Sequence, residues 1–169
     1  MSLIEYRLKR DFKKSGEPKP GTRKVPEQGF VIQEHHGRNL HFDFRLEMKD
    51  EESGEFVLKS WAVPKNLPLD KGIKHLAVQT EDHPLEYANF EGEIPQGNYG
   101  AGKVEIWDSG RWGMMKGSIL ERSLSFNLLG EKVNGRYQMI LTKGFKNKKD
   151  NPRDKKKYWL IWRKGDASL

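Results

Sequence analysis

From Leu40 to Leu46 the chain alternates without a break. Leu40, Phe42, Phe44 and Leu46 are apolar, while His41, Asp43 and Arg45 are polar. A strand has a side-chain period of two, so one face of this segment enters a core and the other presents imidazole, carboxylate and guanidinium in a row. Short runs of strand character recur at residues 30–34, 40–48, 55–63, 75–80, 103–107, 123–129, 136–142 and 158–163. Turn signals separate them, such as Asp-Glu-Glu-Ser-Gly at 50–54 and Gly-Glu-Lys-Val-Asn-Gly at 130–135. Many short strands at this spacing predict a mostly β fold: a compact, closed or partly closed β-barrel of about eight strands with little helix. Helical character is confined to one or two turns over residues 4–12 and a single turn over 119–122. Residues 13–28, rich in Pro, Gly and Lys, read as an irregular N-terminal arm.

Composition narrows the class. At 169 residues the chain is expected to form one domain, 1–169, large enough to bury a core. A mean hydropathy of −0.86 and 33% charged residues fit a soluble protein, and 11% aromatics with five Trp need a folded interior. No apolar run is long enough to cross a bilayer and no signal-peptide core is visible, so the cytoplasm is the expected location. The absence of cysteine excludes disulfides, zinc fingers and a cysteine nucleophile. A net charge of +7 and a pI near 9.5 favour a polyanionic partner, most often nucleic acid. The basic loop at 143–157 carries eight Lys or Arg against two Asp. It reads either as a solvated turn or as a contact to a phosphate backbone.

The candidate chemistry centres on residues 33–45. Imidazole with carboxylate suits a divalent transition metal, and a guanidinium two residues on suits a phosphate or carboxylate oxygen beside it. His35 precedes His41 across a Gly-Arg-Asn turn, and a hairpin there would bring a third ligand to the same point. A simply solvated strand face is the alternative. Lys59 shares a strand face with Trp61, where its stem would cover aromatic surface. His83, in Glu81-Asp82-His83-Pro84-Leu85-Glu86-Tyr87, sits after a strand at a constrained corner, either as an ordinary turn residue or as a group held for chemistry. Gly97-Asn98-Tyr99-Gly100-Ala101-Gly102 looks like a phosphate-cradling loop, but no helix follows, so it reads as a tight connection into the next strand.

Taken together, these segments resemble the 3′-phosphoesterase domain of bacterial DNA ligase D and its free-standing homologues. The matching motifs occur in order: Lys9-Arg10-Asp11-Phe12 with Glu17-Pro18; Phe30-Val31-Ile32-Gln33 with His35; Leu40 to Glu47; Leu58 to Lys65; Glu81 to Tyr87; and Phe90-Glu91-Gly92 leading to Ile94-Pro95 and the glycine loop. The resemblance implies a manganese-dependent hydrolase, with other divalent transition metals as alternatives, acting on the 3′ end of DNA or RNA-tailed DNA. One activity, as a phosphodiesterase, removes a 3′-terminal ribonucleoside; the other, as a phosphomonoesterase, removes the remaining phosphate to leave a 3′-OH. It implies His35, His41 and Asp43 as metal ligands. It implies His83, Arg45, Lys59 and Tyr87 as catalytic or phosphate-side residues, and Arg10, Asp11, Glu17, Gln33 and Glu81 as further activity-linked positions. His36 stands beside His35, so the choice between them rests on register. With neither polymerase nor ligase module in the sequence, a free-standing monomer is expected, with a separately encoded ligase and polymerase as candidate partners. Two rivals remain. His41, Asp43 and His83 would also fit the triad of a non-haem Fe(II) oxygenase, and a basic β-barrel with exposed aromatics would bind single strands without catalysis.

Overall fold

The computed structural model describes residues 3–21, 28–143 and 156–168. Two short helices open the chain, α1 (Leu3–Leu8) and α2 (Phe12–Ser15). Nine strands follow: β1 (Gly29–His36), β2 (Leu40–Lys49), β3 (Phe56–Val63), β4 (Lys74–Gln79), β5 (Gly92–Ile94), β6 (Gly102–Ser118), β7 (Ser123–Gly130), β8 (Asn134–Leu141) and β9 (Lys157–Gly165). A 3-10 turn, Leu85–Asn89, lies between β4 and β5.

The strands form one sheet in the order β1-β2-β3-β4-β9-β8-β7-β6-β5, and β1 also pairs with β6. That pairing closes a ring of eight antiparallel strands, with β5 left outside it on the N-terminal half of β6. Closure removes the free edges that an open sheet would expose.

Alternation decides which residues face inward. Phe30, Ile32, Phe44, Leu46, Trp61 and Val63 are all buried in the barrel interior, together with Phe126, Tyr137, Trp159 and Ile161 from the far wall. The opposite face of β1–β3 points out of the barrel. There Val31 stands opposite Arg45, Gln33 opposite Asp43 and His35 opposite His41. On the next strand pair, Asp43 lies opposite Ala62, Arg45 opposite Ser60 and Glu47 opposite Leu58. The Gly37-Arg38-Asn39 turn between β1 and β2 sets this register, and a slip of one residue would turn every polar side chain into the core.

A second, smaller apolar cluster covers part of this outer wall. Tyr6 from α1, Leu58 from β3, and Leu85 and Tyr87 from the 3-10 turn form its buried centre. It ties the N-terminal segment and the 81–90 segment to the barrel, so the two flank one strip of outer surface.

Several expectations need adjusting. Leu40 starts β2 but is 50% exposed, because it lies at the barrel's rim. β6 runs 17 residues, well past the expected 103–107, and β5 was not anticipated. Residues 119–122 form the β6–β7 turn, closed by Arg122 N–H donating to the Ile119 carbonyl at 3.0 Å, and not a helical turn. Within the arm, Phe12–Ser15 is helical because Asp11 caps it, accepting from Lys13 N–H at 3.1 Å. Of the basic loop, residues 144–155 lie outside the described residues, as do residues 22–27 of the arm.

Candidate functional site

The outer wall of β1–β3, the N-terminal segment, the 80–87 segment and the 95–101 loop enclose a cleft of about 740 Å³. Its floor is the polar face of the β1–β2 hairpin. His35 Nδ1 lies 3.3 Å from Asp43 Oδ2, and His41 Nε2 lies 3.3 Å from Asp43 Oδ1. One ligand atom from each of these three residues falls within 4.8 Å of the others.

The remaining ring nitrogens are engaged by backbone. His35 Nε2 contacts the Gly100 carbonyl at 2.7 Å, and His41 Nδ1 contacts the Asn39 carbonyl at 3.0 Å. A carbonyl only accepts, so each of these nitrogens carries the proton. In the neutral ring the nitrogen opposite each backbone contact, His35 Nδ1 or His41 Nε2, is a lone pair open to a cation; in the protonated ring it donates to Asp43. Fixing the tautomer through the outer nitrogen is how proteins orient imidazole ligands. Two neutral imidazoles and one carboxylate fit a divalent transition metal by donor type. His36 points to the other face of β1, beside Glu34 at 3.5 Å, so the register puts His35 and not His36 in the cleft.

Asp43 is buried. Burial pushes its carboxyl up, but the Arg45 guanidinium and hydrogen bonds from His35 and His41 outweigh this and hold it well below the usual carboxylate range. For His41, burial opposes the charged form, while the hydrogen bond to Asp43 raises the imidazole above its ordinary value.

Next along β2, Arg45 is fixed on three sides. Its Nε donates to Gln33 Oε1 at 2.7 Å, its Nη2 lies 3.5 Å from Asp43, and its Nη1 lies 3.2 Å from His83 Nδ1. Gln33 is itself held, donating to the Tyr87 carbonyl at 2.8 Å and the Phe90 carbonyl at 3.1 Å. His83 is anchored to β3 through its backbone: Leu58 N–H donates to the His83 carbonyl at 2.8 Å, and His83 N–H returns to the Leu58 carbonyl at 3.0 Å.

Arg10 approaches His83 from the other side, with Nη2 3.3 Å from Nε2. A guanidinium can only donate and a carbonyl only accept, so Nε2 accepts from Arg10, while Nδ1 gives its proton to the Glu81 carbonyl at 2.9 Å and takes no hydrogen bond from the nearby Arg45. Burial, then the charges of Arg45 and Arg10, lower the His83 imidazole well below its ordinary value. Between two guanidiniums the ring is held in its neutral form.

Arg10 is locked by carboxylates, with Nε on Glu17 Oε2 at 2.9 Å and Nη1 on Glu81 Oε1 at 3.1 Å. Tyr87 donates its hydroxyl to the same Glu17 oxygen at 2.8 Å, and burial raises the phenol well above its usual pKa. The other Glu17 oxygen is buried without a partner among the described residues.

The structure therefore brings together His35, His41, Asp43, Arg45, Gln33, His83, Arg10, Glu17, Glu81 and Tyr87. Two expected site residues lie elsewhere. Lys59 has the parity of Val57, Trp61 and Val63, so it points to the inner side of β3, where its ammonium sits 2.5 Å from Asp50 and 2.9 Å from Asp82. Asp11 caps α2 and lines a neighbouring groove, not the cleft. The trio His41, Asp43 and His83 is also not what converges: both His83 nitrogens face other partners, and His35 is the third member. Sequence reasoning missed the 95–101 loop as a wall of the cleft. The only signal was its clustered glycines, of which Gly97, Gly100 and Gly102 take positive φ.

By fold and site, this is a closed antiparallel β-barrel carrying an imidazole–carboxylate–guanidinium cleft on its outer wall. The chain belongs to the DNA ligase D 3′-phosphoesterase domain family, whose model matches residues 33–141. It is 49% identical over 164 residues to the multifunctional non-homologous end joining DNA repair protein LigD of Mycobacterium tuberculosis, covering 88% of this chain and 20% of that protein. It is 44% identical over 171 aligned residues to the multifunctional non-homologous end joining protein LigD of Pseudomonas aeruginosa, covering 98% of this chain and 19% of that protein. The chain thus spans about a fifth of the length of these curated relatives.

Proposed function

We propose that the cleft heals 3′ ends of DNA, or of RNA-tailed DNA, during non-homologous end joining. On a strand ending in a ribonucleotide, water adds to the last phosphorus, the P–O5′ bond of the terminal ribonucleoside breaks, and the leaving oxygen takes a proton. On the resulting 3′-phosphate, water adds again and the P–O3′ bond breaks, leaving a 3′-OH and inorganic phosphate. The observation that carries this reading is the meeting, in one cleft, of the His35–His41–Asp43 donor set with two guanidiniums aimed at one neutral imidazole. Membership of the 3′-phosphoesterase family supports it.

His35, His41 and Asp43 would hold Mn²⁺ or a similar divalent ion, which when bound supplies Lewis-acid polarisation of a phosphoryl oxygen. Arg45, pre-oriented by Gln33, binds a non-bridging phosphate oxygen and stabilises the charge that grows there in the transition state. Arg10 does the same from the opposite side, its fork aimed by Glu17 and Glu81. The neutral His83 can accept a proton and, once protonated beside a phosphate whose negative charge offsets the two guanidiniums, donate a hydrogen bond to it. Tyr87, held by Glu17, supplies a fixed face under Arg45, whose guanidinium carbon lies 4.8 Å from the ring centre.

The test is direct: a labelled primer–template ending in a 3′-ribonucleotide or a 3′-phosphate is incubated with the protein and Mn²⁺, and the products are resolved. Stepwise appearance of 3′-phosphate and then 3′-OH is expected, with none in chelator. Metal-independent binding without turnover would put a passive single-strand binder in its place.

A further inference from the structure

A second groove, about 610 Å³, opens beside the cleft. The two share one wall, formed by Arg10 and the residues from Gln96 to Tyr99. The opposite wall of the groove comes from the N-terminal segment, through Leu8, Lys9, Asp11 and Lys14. We propose that this groove is the track of the single-stranded nucleic acid that delivers its 3′ end to the cleft. Tyr99 would act as a base-stacking platform and Lys14 as a contact to an upstream phosphate. This inference rests on the phosphoesterase reading above and names the part of the substrate that the cleft itself does not hold.

Three observations carry it. First, Tyr99 stands at the shared wall and is 49% exposed, and Leu8 across the groove is 80% exposed. Second, cations border the same aromatic: Lys9 Nζ lies 4.8 Å and Arg10 Cζ 5.4 Å from the Tyr99 ring centre. The Lys14 side chain is 75% exposed, with Asp11 only at 4.0 Å. A strand presents one charged phosphate and one stackable face per nucleotide, and alternating cation and aromatic surface is what sequence-tolerant single-strand grooves offer. Third, the wall is preformed. Asn98 N–H and Asn98 Nδ2 both donate to the Pro95 carbonyl, at 3.3 and 3.1 Å, and Ala101 N–H donates to the Asn98 carbonyl at 3.1 Å.

The competing occupant is the leaving ribonucleoside. That group is a single unit with no further phosphate, so it has no use for the exposed Lys14 farther along the groove. The upstream strand carries a phosphate at every step. With the Asn98 amide N–H turned back to its own loop, the wall favours stacking over base reading, so little sequence preference is expected.

The experiment compares two substrates with the same terminal chemistry: a nucleoside 3′-monophosphate and a ten-nucleotide oligodeoxynucleotide ending in 3′-phosphate. Tyr99→Ala should lower the oligomer-to-monomer ratio of kcat/KM on the order of tenfold, the range for losing one stacked base, while Tyr99→Phe keeps it. Lys14→Gln should flatten the slope of log kcat/KM against log salt for the oligomer by about 0.7, as expected for one lost phosphate contact on a single strand. Anisotropy of the same oligomer, fluorescein-labelled at its 5′ end, reads binding without turnover, and both variants should bind more weakly. Equal losses on both substrates, or unchanged oligomer binding, would overturn the track. A Tyr99→Ala defect confined to ribonucleoside removal would assign the groove to the leaving group instead and equally overturn it. Wild-type protein that binds the oligomer through Tyr99 and Lys14 yet hydrolyses neither substrate would support the track and sink the phosphoesterase reading.

Discussion

At the scale of single residues, the proposed function separates the side chains that would hold a cation from those that would face the phosphate. His35, His41 and Asp43 meet through Asp43's two oxygens. Removing any one leaves an incomplete donor set, so His41→Ala, Asp43→Ala and His35→Ala should each abolish binding of one Mn²⁺ per chain, measured by equilibrium dialysis. His36→Ala should retain it, because His36 lies on the other face of β1. His83 faces two guanidiniums and no ligand atom, so His83→Ala should keep the metal and lose turnover by about 10²–10⁴-fold. Arg45→Lys should also be damaging, since it replaces a fork bonded to Gln33 with a point charge. That His41, Asp43 and Arg45 share one face was legible because period-two alternation marks it. Lys59 shows the limit of the same argument. Its parity with Trp61 was visible in sequence, but the carboxylates that claim it, Asp50 and Asp82, come from other segments. Burial lowers the Lys59 ammonium's pKa, and the two acids more than reverse this. Lys59→Met should therefore act through stability, costing about 3–5 kcal/mol because two buried acids lose their cation. Denaturant titration would register this, and a fully stable variant that is merely inactive would return Lys59 to the site.

At the scale of elements, the strands legible in sequence were those whose two faces differ in polarity. β6 defeats that test. Gly110, Gly113 and Gly117 interrupt it, and its register shifts between Met114 and Lys116. Those glycines let one long strand serve both β1, along its first half, and β7, along its second, besides the short β5 at its start. At Gly110 the need is steric. A Cβ there would overlap the Leu129 carbonyl on β7, which is backbone and cannot swing aside. Gly110→Ala should cost on the order of 1–3 kcal/mol and lower Tm, whereas Gly113→Ala, with no neighbouring atom within 4 Å of the added carbon, should be nearly neutral. Comparable Tm losses for the two would show that glycine flexibility, and not close approach, is what β6 needs. The 95–101 loop was legible as a connection into β6 but not as a wall of the cleft, because its contact to His35 is a backbone carbonyl that no residue pattern marks.

At the scale of the whole molecule, the barrel interior holds the main apolar core and the outer wall holds the candidate site. The two can be separated by pH. Tyr137 is fully buried among the interior aromatics and donates its hydroxyl to the Pro68 carbonyl at 2.7 Å. Burial raises its phenol from 10.0 to about 12, partly offset by Arg163. The sign follows from linkage. Proton binding is tighter in the folded state, so the stabilisation is fully present below pH 10 and is lost as pH rises toward 12. A two-unit difference corresponds to roughly 2–3 kcal/mol. Tyr6 and Tyr87, also raised by burial, act in the same direction, but they sit on the outer wall against the cleft. Tyr137→Phe should sacrifice the Pro68 hydrogen bond, about 1 kcal/mol at neutral pH, and in return show a shallower fall in unfolding free energy between pH 10 and 12. Guanidinium titrations of both proteins at pH 8, 10 and 11 read that slope directly. Parallel curves would mean that Tyr137 reaches solvent before the barrel opens, and that the alkaline limit lies with the outer-wall tyrosines instead.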